Sequence, residues 1–174
     1  LSDAGPCPTC ALKVQFKQEN GTTTTTTNAH LDFNIVNAGS APQDMSEITL
    51  EYFYTAQGIL TSPAVDCYQV SPTACPVPNL LTSSSSPLLA IFRPYTPATA
   101  TADSYMLLAF SGITIPAGGS LLVRVGLHNM TSTSTSNFDL TKDYSFTAAD
   151  TALTDAPNIP LYYNGILLWG TPPS

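Results

Sequence analysis

The chain has 174 residues, only 10% of them charged, and a formal net charge of −7. That length fits one domain with a real core. Five basic residues scattered along an acidic chain leave no patch to track phosphates or anionic lipid, so nucleic acid and membrane surfaces are not expected partners. The longest apolar runs fall far short of a membrane span. The chain starts at Leu1, not Met, and is read as a mature fragment or an excised domain.

In chain order, the first feature is Cys7-Pro-Thr-Cys10 in a short polar leader, residues 1–11. With Cys67 and Cys75 it makes four cysteines. An even count in a Ser/Thr/Pro-rich chain suggests two disulfides and an oxidising compartment, with three possible connectivities. A Cys₄ zinc site is the rival, but seven residues between Cys67 and Cys75 exceed the usual knuckle spacing. Disulfides from Cys7 and Cys10 to Cys67 and Cys75 are favoured, because they would tie the leader to a long loop.

Residues 12–174 read as one unit with period-two alternation. Leu12, Val14 and Phe16 mark a first strand, Leu31, Phe33 and Ile35 a second, and Ile48, Leu50, Tyr52 and Tyr54 a third. The six threonines Thr22–Thr27 join the first two. Thr61–Pro87 reads as a long Pro/Ser-rich loop. Further strands are expected at Leu88–Phe92, Tyr105–Phe110, Ser120–Leu127 and Tyr144–Phe146, with Thr131–Asn137 as a loop. Asn164-Gly165 between Leu161–Tyr163 and Ile166–Trp169 is a hairpin signal, because a type I′ turn needs positive φ at both central residues. Some nine strands with turn signals between them predict an all-β, antiparallel sandwich. Its expected core includes Phe33, Ile35, Ile48, Leu50, Tyr52, Leu107, Val123 and Phe146. Asn20-Gly-Thr22 and Asn129-Met-Thr131 are glycosylation sequons only if the source glycosylates. His30 and His128 sit in no local catalytic signature, so no enzyme activity is expected.

Leu12-Lys-Val-Gln-Phe16, Val36-Asn-Ala-Gly-Ser40, Glu51-Tyr-Phe-Tyr-Thr55, Asp143-Tyr-Ser-Phe146 and Tyr163-Asn-Gly-Ile-Leu-Leu-Trp-Gly170 together resemble family 3 carbohydrate-binding modules, the cellulose-binding domains of cellulosome scaffolds and cellulases. The region 59–101 and the leader align poorly. The resemblance implies a nine-stranded jelly roll, secreted or at the cell surface, within a larger multidomain protein. Its role would be to hold an attached protein on cellulose or another β-glucan.

The resemblance also implies three sites. A structural calcium ion would take oxygens from Thr55, Gln57, Asp139, Lys142 and Asp143; Gln57 stands where the family more often has an acid. A planar strip for the sugar chain would draw on Asp66, Tyr68, Gln69, Tyr95, Arg124, His128 and Asn129, without the family's loop Trp. The sole Trp, Trp169, belongs to the hairpin motif and is read as structural. A groove on the opposite face would present Tyr54, Tyr105 and Tyr144. An alternative is an accessory or structural extracellular module of the same fold that has lost the strip.

Overall fold

The computed structural model describes residues 11–19, 23–75, 87–130, 136–146 and 152–174. Its strands are, in chain order, β1 Leu12–Gln18, β2 Thr25–Thr26, β3 Asn28–Asn37, β4 Gln43–Asp44, β5 Ile48–Tyr54, β6 Pro63–Ser71 and β7 Leu88–Pro94. There follow β8 Ser104–Phe110, β9 Thr114–Ile115, β10 Ser120–Asn129, β11 Phe138–Asp139, β12 Thr154–Asp155, β13 Leu161–Tyr163 and β14 Ile166–Trp169. A 3₁₀ turn covers Leu140–Lys142.

Two five-stranded sheets face each other, in the orders β12-β1-β3-β10-β6 and β14-β13-β5-β8-β7, and every pairing is antiparallel. Sequential neighbours are often not spatial ones, as the jelly roll requires. Alternation puts Val14, Phe16, Leu31, Phe33, Ile35, Leu121, Val123 and Val125 of the first sheet inside, against Ile48, Leu50, Tyr52, Met106 and Leu108 of the second. Phe16, Phe33 and Tyr52 form a ring cluster at the centre, with centroids 5.5 to 6.1 Å apart. The hairpin forms as the sequence predicts, with φ of 47° at Asn164 and 79° at Gly165.

Four expectations need correction. Leu107 pairs with Glu51 and Ile91, so it lies on the outer row of its sheet, while its neighbours Met106 and Leu108 point inward. Phe146 is half-buried at the margin of the core, and Tyr144–Phe146 is a turn, not a strand. The first part of Thr61–Pro87 is a nine-residue edge strand, β6. Residues 76–86 lie outside the described set, as does 131–135, most of the second expected loop.

The fourth correction is the disulfide pairing. Cys67 and Cys75 bond to each other, with Cα atoms 5.8 Å apart. Neither is left for Cys7 or Cys10, which lie outside the described residues, so the cross-linked arrangement does not hold. The reason is local: β6 ends at Ser71, and the chain doubles back so that Cys75 meets a cysteine pointing inward from the strand. A loop this short is worth about 2.5 kcal/mol in the chain-entropy picture. A Cys67→Ala/Cys75→Ala variant should therefore unfold at lower denaturant with an unchanged fold, and an unchanged midpoint would contradict that role.

Candidate functional site

The outer face of the first sheet is polar and built from three adjacent strands. β10 runs between β3 and β6, pairing Arg124 with Asp32, Gly126 with His30 and Asp66, and His128 with Asn28 and Ala64. Paired residues share a face, so these side chains form a patch opposite the core. The register of β10 and β6 slips between Arg124 and Val125. Cys67 faces Val125 and Gln69 faces Arg124, so Tyr68 is the extra residue of a bulge. That turns Tyr68 and Gln69 outward together.

Tyr68 is 47% exposed, the large apolar side chain that stands up from this face. Its ring lies across Gly126, where an added Cβ would come within 2.8 Å of the ring and 2.7 Å of the Asn28 amide oxygen. Glycine is thus required there by the close approach of Tyr68. Asn28 Nδ2 donates to the Tyr68 hydroxyl at 3.0 Å, and the His30 ring packs 5.1 Å from the tyrosine ring.

Beyond Tyr68, charges interlock. Arg124 Nε lies 3.1 Å from Asp32 Oδ2, and Arg124 Nη2 lies 3.2 Å from Glu19 Oε1. Lys17 bridges the same two acids at 3.0 and 3.5 Å. At the other end His128 Nε2 lies 3.2 Å from Asp66 Oδ2. Asn129 accepts from Ser62 N at 3.2 Å and donates to Ile59 O, so it braces the strand end.

Burial pushes the Asp32 carboxyl up to about 6; the charge of Glu19 adds to this and Arg124 opposes it. A folded-state pKa above the ordinary 3.8 means that the native state holds this proton more tightly than the unfolded chain. The resulting stability is fully present below about pH 4 and is lost as pH rises through about 6. Asp32→Asn should flatten the fall in stability across that window. An identical pH profile in the variant would show that Asp32 does not set it.

The structure brings Asp66, Tyr68, Gln69, Arg124 and His128 to this one face; Asn129, in the inward phase of β10 with Val125 and Leu127, is hydrogen-bonded to Ser62 N and Ile59 O instead, which corrects its place in the strip. Tyr95 is not on this face either, which corrects its place as well. It follows β7 on the other sheet, and its ring packs 5.0 Å from Phe53. Asn28, His30 and Asp32, which sequence reading missed, complete the patch. They are the polar positions alternating with Leu31 and Phe33, and that alternation was a usable signal.

The outer face of the second sheet carries an aromatic groove. Phe53, itself 1% exposed, is its hub, with Tyr95, Tyr105 and Tyr144 rings 5.0, 5.4 and 6.3 Å away. Tyr105 and Tyr144 lie there as the groove reading expects. Tyr54 does not. Strand alternation sends Phe53 out and Tyr54 in, where it is 1% exposed within the core, and burial pushes its hydroxyl pKa up. The tail crosses the groove, pinned by Tyr95, which donates to Pro173 O at 2.7 Å, and Tyr144, which donates to Thr171 O at 3.1 Å.

The five expected calcium ligands converge on the junction between β5 and the 3₁₀ turn. Asp143 is 4% exposed and accepts from Thr55 N at 3.0 Å and from Thr55 Oγ1 and Tyr52 Oη at 3.4 Å. Burial pushes its carboxyl up to about 8. A buried carboxylate held by neutral donors suits a cation. Gln57 clips onto Asp139 instead: its Nε2 donates to Asp139 O at 2.9 Å and its Oε1 accepts from Asp139 N at 3.1 Å. The Asp139 carboxylate does not turn inward; it caps the turn, accepting from Thr141 N and Oγ1 at 3.0 and 2.7 Å. Lys142 is exposed in that turn, so only its carbonyl could serve.

The fold is thus a two-sheet jelly roll with a polar patch on one outer face and an aromatic groove on the other, the fold class of the carbohydrate-binding modules it superposes on. The family model described as "Cellulose binding domain" matches residues 13–170, and the chain belongs to that family, the family 3 carbohydrate-binding modules. The cellulosomal-scaffolding protein A of Acetivibrio thermocellus is 28% identical over 93% of this chain, and endoglucanase A of Paenibacillus lautus is 31% identical over 93%. The chain spans 8% and 21% of the length of those two relatives. A family 3 module with flanking linkers from a Clostridium thermocellum cellulosome scaffoldin superposes with a TM-score of 0.78, at 25% identity, covering 97% of this chain and 95% of that one. A biomass-sensing module of an Rsgi-like protein of Clostridium thermocellum gives 0.75 at 25% identity, covering 93% of this chain and 98% of that one. At the level of family and fold the chain is a carbohydrate-binding module, a class without catalytic activity of its own.

Proposed function

We propose that the module binds cellulose or a related β-glucan along the face built around Tyr68, and so holds an attached protein on cell-wall material. The observation that carries this reading is the exposed Tyr68 ring in a row of sugar-compatible polar groups, from Arg124 and Gln69 to Asp66 and His128. A flat ring offers its π-face to the axial C–H face of glucose, while the polar groups meet the hydroxyls. Pull-down on microcrystalline cellulose, amorphous cellulose, chitin and xylan tests it. Retention on a β-glucan is expected, and none on any of them refutes it.

A second reading is an accessory module that extends a neighbouring domain without anchoring it. It is favoured by the strip's single exposed tyrosine among the described residues. Retention on amorphous but not on crystalline cellulose would favour it, because a lone ring grips a flat crystal face weakly.

Calcium is proposed at Asp143 and Thr55, with the Gln57 amide oxygen and the Asp139 and Lys142 carbonyls as the remaining protein donors. The ion would compensate the buried Asp143 and fasten the turn to the end of β5. With one inward acid, affinity should fall near the millimolar end of extracellular sites. Millimolar calcium should raise the melting temperature and chelator should lower it, by mass action on the native state. Asp143→Asn should lose that response, and a chelator-insensitive melting curve would reject the site.

A further inference from the structure

The groove holds a cavity that the strip does not use. It measures about 320 Å³, has Phe53 as its floor, and is walled by Tyr95, Tyr105, Tyr162 and Pro172, with Glu51 at one side. Tyr95 and Tyr144 pin the tail through Pro173 and Thr171, so the Pro172 wall stands ready before any ligand arrives.

The chemistry of this lining is one-sided. The Tyr162 hydroxyl donates to Glu51, and burial pushes the Glu51 carboxyl up. No ion pair among the described residues reaches Glu51. Arg93 stands opposite Tyr105 in the sheet register but lines a separate cavity, with Phe92 and Ser104. A partly desolvated carboxylate ringed by electron-rich aromatic faces attracts a cation from both sides. A neutral sugar would stack on the same rings but leave the acid uncompensated. The protein's net charge of −7 also draws cations and repels acidic ligands.

We propose that this cavity binds a glucosamine unit of a β-linked glucosamine polymer, with its ammonium group against Glu51 and its ring against Tyr105 and Tyr162. It would be a second carbohydrate site, for a cationic glycan, on the sheet opposite the β-glucan face. The two sites share no side chain.

Titration calorimetry on the whole module tests this with glucosamine oligomers, their N-acetylated forms, cello-oligomers, tetramethylammonium and tetralysine. Glucosamine oligomers should bind, and tetramethylammonium should compete with them. N-acetylation, which removes the charge, should weaken binding by about tenfold or more. Glu51→Gln keeps shape and hydrogen bonding and should weaken binding similarly, with an unchanged near-ultraviolet dichroism spectrum; Tyr105→Leu should do the same. Tyr68→Ala should leave this binding intact, so failure of the β-glucan reading and failure of this site are told apart. Equal binding of cello-oligomers, an unaffected Glu51→Gln variant, or no binding of glucosamine oligomers would overturn the proposal. Tighter binding of tetralysine would replace the glycan with a basic peptide and overturn it too.

Discussion

Replacing Phe53 by alanine should cost about 3–5 kcal/mol of stability, the range for deleting a buried aromatic ring. Phe53 is nearly inaccessible and touches three tyrosine rings at 5.0 to 6.3 Å. Its removal leaves a hole that Tyr95 and Tyr144 fill only by leaving their hydrogen bonds to the tail. For a chain of this size the melting temperature should fall by roughly 10 °C. Tyr105→Ala, at a half-exposed wall position, should cost much less. Urea unfolding of the two variants decides it. If Phe53→Ala loses under 1 kcal/mol, the ring is not the hub of the groove. The tail should also loosen in the Phe53 variant, read as faster amide exchange at Thr171, whose N–H donates to Pro157 O.

Tyr68→Ala should reduce retention on β-glucan by about 2 kcal/mol, a loss of roughly thirtyfold. Stability should change little, because the side chain stands on the surface. Gly126→Ala gives an independent check. Its new Cβ would collide with the Tyr68 ring and the Asn28 amide, so the ring must move while its chemistry is unchanged. Both variants should weaken binding, and the alanine at 126 should also cost some stability at the bulge. Depletion isotherms on amorphous cellulose measure the effect. Full retention in both variants would move the binding face away from Tyr68.

Where the sequence repeats with an unbroken period, it was legible. Leu12-Val14-Phe16, Leu31-Phe33-Ile35 and Ile48-Leu50-Tyr52 each specify a strand and its inward face, because a one-residue slip would expose the whole set. β6 was hidden because its bulge at Tyr68 breaks the alternation between Cys67 and Val70, and because Pro63 and the serines around it read as loop. The same irregularity is what presents Tyr68. Leu107 was assigned to the wrong face, since an apolar run such as Tyr105–Phe110 has no polar mark to fix its phase; Tyr54 was placed in the groove by the resemblance alone, against the alternation that aligns it with Ile48, Leu50 and Tyr52.

The sequence by itself determined the sandwich, the Asn164-Gly165 hairpin and the scarcity of basic residues. Those are properties of period, turn chemistry and composition, which act over short stretches. Only the tertiary structure decided that Cys67 pairs with Cys75, that Arg124 meets Asp32 and Glu19, that Phe53 gathers three tyrosines, and that Glu51 lies in their cavity. Most of these contacts join residues far apart in the chain, and even the disulfide depends on where β6 turns back. Register and topology bring them together, and neither is written in any local pattern.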